Sequence, residues 1–315
     1  MTKHTSPKEI LQDLRPDGTE RPWREKKMKT LVLTSSFRRL DEQPRAERIC
    51  TCGSFLEFKE TVETNERKLT RANFCRERLC PMCAWRRSLR GAHVLSTVMN
   101  HVETAHGLVP LFLTLTIKNC PATVADLKQS LDVVFQGWNR LTRVKRVKNA
   151  VNGWFRALEV TYNSEADTFH PHLHAIVYVD KSYFGRNYIK TSEWVRLWRQ
   201  SCRLDYDPVC HIERARKGPN ELSKYTVKDN DYLMPDGKLM DKLVYALHKA
   251  LRLRRLIAFG GILKQIAKEL KILDDDGKED LIQIGDTIRE DIETRIVRYF
   301  FHYGVCQYLK SKEKT

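Results

Sequence analysis

The sequence contains no apolar run approaching the roughly 18 residues that a membrane-spanning helix needs. Its first 27 residues, MTKHTSPKEILQDLRPDGTERPWREKK, have no apolar core, so a secretory signal peptide is not expected. A cytoplasmic location is the expectation. No Gly-rich phosphate loop ending in Gly-Lys-Ser/Thr is present, which argues against an ATP-driven helicase. A dinucleotide-binding fingerprint and internal repeats are also missing. The acidic stretch 274–280 lacks the ligand spacing of a calcium loop.

What the chain has in excess is positive charge. Against 40 acidic residues stand 56 Lys and Arg, a net +16 over 315 residues. Such an excess favours a polyanionic partner, most simply nucleic acid. A hydrophobic content of 41% supports a real core, in one large or two to three modest domains. Nine cysteines in a reducing compartment argue against a disulfide framework, and their clustering argues for metal.

The cluster reads CRERLCPMC over residues 75–83, with Cys50 and Cys52 upstream. Zinc takes four such thiolates in a tetrahedron. Cys75, Cys80 and Cys83 supply three, and Cys52 or Cys50 the fourth. Cys52 is preferred because Gly53 provides a turn beside it. No ligand position is left open, so the expected site is structural. The arginines around it (Arg76, Arg78, Arg86, Arg87, Arg90) either face phosphates or line a solvated helix face.

Four segments follow from the patterning. Residues 1–45 are a polar, basic arm with a short strand over 31–34. Residues 46–105 are a cysteine-rich zinc-binding module and a helix. Residues 106–272 hold alternating strands and helices, and 273–315 an acidic linker with an aromatic and basic tail that suits a hairpin. The run LFLTLTI (111–117) reads as a buried strand. A helix opening at Thr123 carries Leu127, Leu131, Val134, Phe135, Trp138 and Leu141 on one stripe. The class expected is α+β: an antiparallel sheet with flanking helices, plus the N-terminal zinc-binding module.

The stretch HPHLHAIVYVD (170–180) carries the most chemistry. Side chains on a strand alternate faces, so His172 and His174 point the same way, about 7 Å apart. Such a pair can grip one metal ion. WFRALEVTY (154–162) is the preceding strand, and a short polar turn makes the two a hairpin. Glu159 can then stand beside the histidines as a third ligand; otherwise it lies on the exposed face or pairs with Arg156 or another base. His170, before Pro171, reads as a turn residue behind the pair. Downstream, GPNELSKYTVKDND (218–231) places Glu221, Tyr225 and Lys228 on one helix face: a carboxylate, a phenol and an ammonium.

FLTLT (112–116), HPHLH (170–174) and E-x3-Y-x2-K (221–228), in this order, resemble the HUH endonucleases. The likeness is to the rolling-circle replication initiators (Rep proteins) of small Gram-positive plasmids. CPMCAWRRS (80–88) and SKYTVKD (223–229) fit the same branch, and the resemblance covers about residues 22–270. It implies that His172 and His174 hold Mg²⁺ or Mn²⁺, with Glu159 as third ligand. It implies that Tyr225 nicks single-stranded DNA at the plasmid's double-strand origin, becoming linked to the 5′ phosphate and leaving a 3′-OH primer. Glu221 would direct water at the closing cleavage, and Lys228 would neutralise the phosphate. Tyr232, seven residues on, is a second candidate phenol, disfavoured because Asp229-Asn230-Asp231 ends the helix first. A host helicase and a DNA polymerase are the implied partners, no membrane is involved, and an oligomer is compatible. The rivals are a single-tyrosine HUH transposase and, from another class, a non-catalytic zinc-containing DNA-binding regulator.

Overall fold

In the computed structural model, the residues described are 10–215, 229–272, 281–282, 284 and 292–311. In chain order the elements are α1 (Trp23–Arg39), α2 (Gln43–Thr51), β1 (Phe55–Thr61), β2 (Arg67–Ala72) and α3 (Pro81–His106). Then come β3 (Val109–Thr116), β4 (Cys120–Pro121), α4 (Val124–Leu141), α5 (Lys145–Ala150), β5 (Val151–Asn163) and β6 (Thr168–Val179). The chain continues with α6 (Thr191–Cys202), β7 (Cys210–Arg214), α7 (Gly237–Leu251), β8 (Ile257–Gly261) and α8 (Ile262–Glu269). It closes with β9 (Thr294–His302) and β10 (Gln307–Lys310). The chain divides into two compact units: Met1–Arg90 with Glu279–Thr315, and Gly91–Lys278. The α+β class expected from the sequence holds.

The first unit is built on a four-stranded antiparallel sheet, β10-β9-β1-β2. The tail therefore forms a hairpin, as its composition suggests, and adds it to a strand more than 230 positions earlier. Residues 31–34 correct the sequence reading: they lie inside α1, not in a strand. The buried residues of that helix are Trp23, Lys27, Thr30, Leu33, Thr34, Ser36 and Phe37. Spacings of three and four make one helical face. Because that face includes Lys27, Thr30 and Thr34, its apolar periodicity is muted.

The second unit carries the sheet order β7-β3-β6-β5-β8, with β4 also paired to β6, all antiparallel. Period-two alternation sends Leu173, Ala175, Val177 and Val179 into one core, all at 2% exposure or less. Over the other face, Phe155, Ala157, Ile176 and Tyr178 pack with Leu95, Val98, Met99 and Val102 of α3 and Leu263, Ile266 and Ala267 of α8. Thr123 caps α4 by accepting the Asp126 amide, as the sequence suggests. Helices α4 and α6 meet at Gly137, where a β-carbon would come within 2.3 Å of Cys202 Sγ.

Candidate functional site

The β5–β6 hairpin turns through residues 164–167, where the Asn163 side chain accepts the amides of Glu165 and Ala166 at 3.0 Å. This turn sets the register, and the register sets the site. Glu159 lies opposite His172, Ala157 opposite His174, and on the other side Thr114 and Thr116 of β3 face His174 and His172. One sheet face therefore collects Glu159, His172, His174 and Thr114 at one end of its strands. All three ligand-type residues are at least nine-tenths buried.

Glu159 Oε2 stands 3.0 Å from His172 Nε2 and 3.0 Å from His174 Nε2. Adjacent ligands at about 2.1 Å from an octahedral ion would be about 3.0 Å apart, so the spacing suits one bound metal ion. The far sides of the rings are held as well. His172 Nδ1 faces the His170 carbonyl at 3.1 Å, and His174 Nδ1 faces Thr114 Oγ1 at 3.2 Å. A ring nitrogen against a carbonyl must be the donor, so neutral His172 presents a lone pair at Nε2. That lone pair and a carboxylate oxygen are both acceptors, and a cation, either metal or proton, must lie between them. The His172 ring also stacks on His170, and the His174 ring on Phe112, with centroids 4.8 and 5.5 Å apart. Arg156 does not pair with Glu159. It leaves the opposite face and donates to the carbonyls of Arg255 and Leu256. Burial lowers its guanidinium pKa to about 10.

A second convergence lies in the first unit. Cys52, Cys75, Cys80 and Cys83 bring their sulfurs within 4.8 Å of one another. The Sγ distances Cys52–Cys83, Cys52–Cys80 and Cys75–Cys83 are 3.5, 3.6 and 3.7 Å. Four sulfurs bound at about 2.3 Å to a tetrahedral zinc would be roughly 3.8 Å apart. Backbone amides of Cys75 and Glu77 point at the sulfurs of Cys52 and Cys75, both at 3.4 Å. Left-handed backbone at Gly53 and Arg76 makes those turns. Cys50 is not in the group; its carbonyl accepts from Lys27 Nζ and from Tyr303.

Residues 66–309 match a family model described as "Replication protein". This chain belongs to the Rep family of replication proteins. A "Protein rep" of Bacillus amyloliquefaciens is 37% identical, over 95% of this chain and 97% of its own length. Another, of a Bacillus species, is 41% identical over 76% of this chain and 85% of its own length. One from Streptococcus pneumoniae is 34% identical over 86% of this chain and 87% of its own length. No solved structure matches significantly.

The family is the one the motifs resemble, that of plasmid replication initiators. Of the residues the resemblance singles out, His172, His174 and Glu159 come together, and so do the four cysteines. Glu221, Tyr225 and Lys228 lie outside the described residues. Tyr232 is 1% exposed. A phenol so buried cannot reach a bulky polyanion without rearrangement.

Sequence reasoning missed the residues that hold the ligands. Thr114 is one, and its parity with His174 across β3 and β6 is the signal that points to it. Lys27 and Thr30 are others: Lys27 Nζ donates to the carbonyls of Cys50 and Cys52 at 2.6 and 2.8 Å, and Thr30 Oγ1 lies 3.6 Å from Cys80 Sγ. Two of the arginines near the cysteines serve backbone carbonyls: Arg86 those of Leu281 and Ile282, Arg87 those of Arg76, Glu77 and Arg78. Among the described residues no helix is long and apolar enough to cross a membrane.

Proposed function

We propose that the chain initiates rolling-circle replication of a plasmid by nicking and joining DNA at the double-strand origin. The convergence of His172, His174 and Glu159 on one point carries this reading, in a Rep-family chain with Tyr225 downstream. A divalent cation, Mn²⁺ or Mg²⁺, held by these three residues would polarise one phosphate oxygen. The carboxylate suits a hard ion and the imidazoles favour a softer one, so the expected affinity is modest.

Tyr225 is the nucleophile in this reading. Its phenol oxygen forms a bond to phosphorus while the bond from phosphorus to the 3′ oxygen breaks. The phenol proton ends on that oxygen, leaving a free 3′-OH as primer and a 5′-phosphotyrosine. One phosphoester replaces another, so rejoining needs no ATP. The unperturbed phenol pKa is about 10, so it needs help near neutrality. Lys228, three residues on, supplies a positive charge beside the phosphate, and Glu221 directs water at the closing cleavage. The cysteine quartet holds a structural zinc. Origin DNA is the substrate, a host helicase and polymerase act on the exposed strand and primer, and the work takes place in the cytoplasm.

The test is adduct formation with a single-stranded origin oligonucleotide and Mn²⁺. The chain should cut it and remain attached to the 5′ end through denaturing electrophoresis, and Tyr225→Phe should form no adduct. The same adduct from Tyr225→Phe would remove the nucleophile assignment. Origin binding without any cutting by the wild type would favour a non-catalytic regulator.

A further inference from the structure

Residues 252–256, Arg-Leu-Arg-Arg-Leu, join α7 to β8. Leu253 is 92% exposed, the highest value of any large apolar side chain among the described residues. Single exposed leucines are ordinary, so this alone assigns nothing. Its surroundings do.

The loop is fastened, not frayed. Leu253 takes a left-handed backbone, φ 59°, which an L-residue adopts only where its neighbours hold it. Arg254 holds it from one side: Nε donates to the Ala250 carbonyl at 2.9 Å and Nη1 to Asp132 on α4 at 2.7 Å. Arg156 holds it from beneath through the carbonyls of Arg255 and Leu256, both at 3.3 Å. The rigid frame presents an apolar tip to solvent.

The loop borders the metal-binding end of the sheet. Ile257 pairs with Ala157, and the Leu256 carbonyl accepts the Leu158 amide at 2.9 Å. Continuing that register brings Arg255 level with Glu159. Arg252 precedes the tip and Arg255 follows it in the chain, both exposed, and residues 252–258 contain no acid. An apolar point between two cations complements nucleic acid, which is anionic outside and apolar between its stacked bases.

We propose that residues 252–255 are a DNA wedge beside the nicking site. Leu253 enters between two neighbouring bases and unstacks them, while Arg252 and Arg255 hold the phosphates flanking that step. The strand is thereby opened next to the phosphate that the Glu159 end of the sheet receives. The inference rests on the DNA-nicking function proposed above.

The experiment uses the full chain and a mixed-sequence hairpin DNA with 2-aminopurine placed in turn at positions along the stem and its junction with the loop. No Mg²⁺ or Mn²⁺ is added to the buffer, so nothing is cut. Wild type at saturation should raise the fluorescence at one or two adjacent positions, the signature of unstacking. Leu253→Ala should bind within about threefold of wild type, because phosphate contacts carry most of the affinity. It should lose most of the fluorescence rise. Val305→Ala, which removes another exposed aliphatic side chain (59%), should keep it. The double variant Arg252→Ala/Arg255→Ala should lower the salt-dependence slope of log K by about 1.4 to 1.8, two phosphate contacts' worth. A wild-type fluorescence rise in Leu253→Ala, or an unchanged slope in the double variant, would overturn the wedge and leave the nicking proposal standing. Failure of the wild type to bind the hairpin at all would also overturn the wedge, while the nicking proposal stands or falls on the origin-oligonucleotide adduct.

Discussion

His174 reaches the shared point with Glu159 through Nε2 because Thr114 occupies its Nδ1 side. Thr114→Val keeps the branched shape and removes the hydroxyl. Manganese affinity, measured by calorimetry, should fall on the order of 10-fold with the fold unchanged. Unchanged affinity would mean that stacking on Phe112 alone orients the ring. The histidine pair itself was legible from strand parity, which needs no partner to be known. Glu159 was legible because the short turn at 163–168 forces a hairpin. Thr114 was not, because a threonine in a strand reads as β-propensity until the register with β6 is seen. Lys27 and Thr30 were hidden for a related reason: a buried helical face that contacts cysteine sulfurs and carbonyls is not apolar, and so does not look buried.

Among the elements, β1 is the strand on which the first unit closes. Glu60, 1% exposed, accepts from Arg67 of β2 on one side and from Arg295 of β9 at 2.8 Å on the other. Burial pushes its carboxyl pKa up, but the bonds and charges of Arg295 and Arg67 outweigh that and leave it lowered. A lowered folded-state value stabilises above the ordinary carboxylate range and is lost as pH falls through it. Glu60→Gln should therefore lower stability at neutral pH by about 1.5–3 kcal/mol. The difference from wild type should shrink in acid. Thermal unfolding of both proteins across pH checks this, and a pH-independent difference would contradict it. Helix α4 and strands β3, β5 and β6 were readable from their periodicity. The union of β9 with β1 was not, because no local pattern links residues 55–61 to 294–302. Helix α1 was misread over 31–34, where LVLT favours a strand locally and the stripe from Trp23 to Phe37 decides otherwise.

At the scale of the whole molecule, among the described residues each of the two units contains one group able to hold a metal ion: the four cysteines in one and the Glu-His-His set in the other. They should answer differently to metal removal. Elemental analysis should find one tightly held zinc per chain, retained in Cys50→Ser and lost in Cys52→Ser. Loss of that zinc should also lower the melting temperature, since structural zinc contributes directly to folding. Retention of zinc by Cys52→Ser would assign the fourth ligand elsewhere. The Glu-His-His site should bind its ion weakly and reversibly, and its loss should affect chemistry before stability. The most direct test of the account is covalent adduct formation with a single-stranded origin oligonucleotide, titrated with Mn²⁺, in wild type and in His172→Ala/His174→Ala. The account predicts a manganese-dependent 5′ adduct in the wild type, and in the double variant none at any manganese concentration while origin binding persists. Adduct formation by the double variant at the wild-type rate would contradict it.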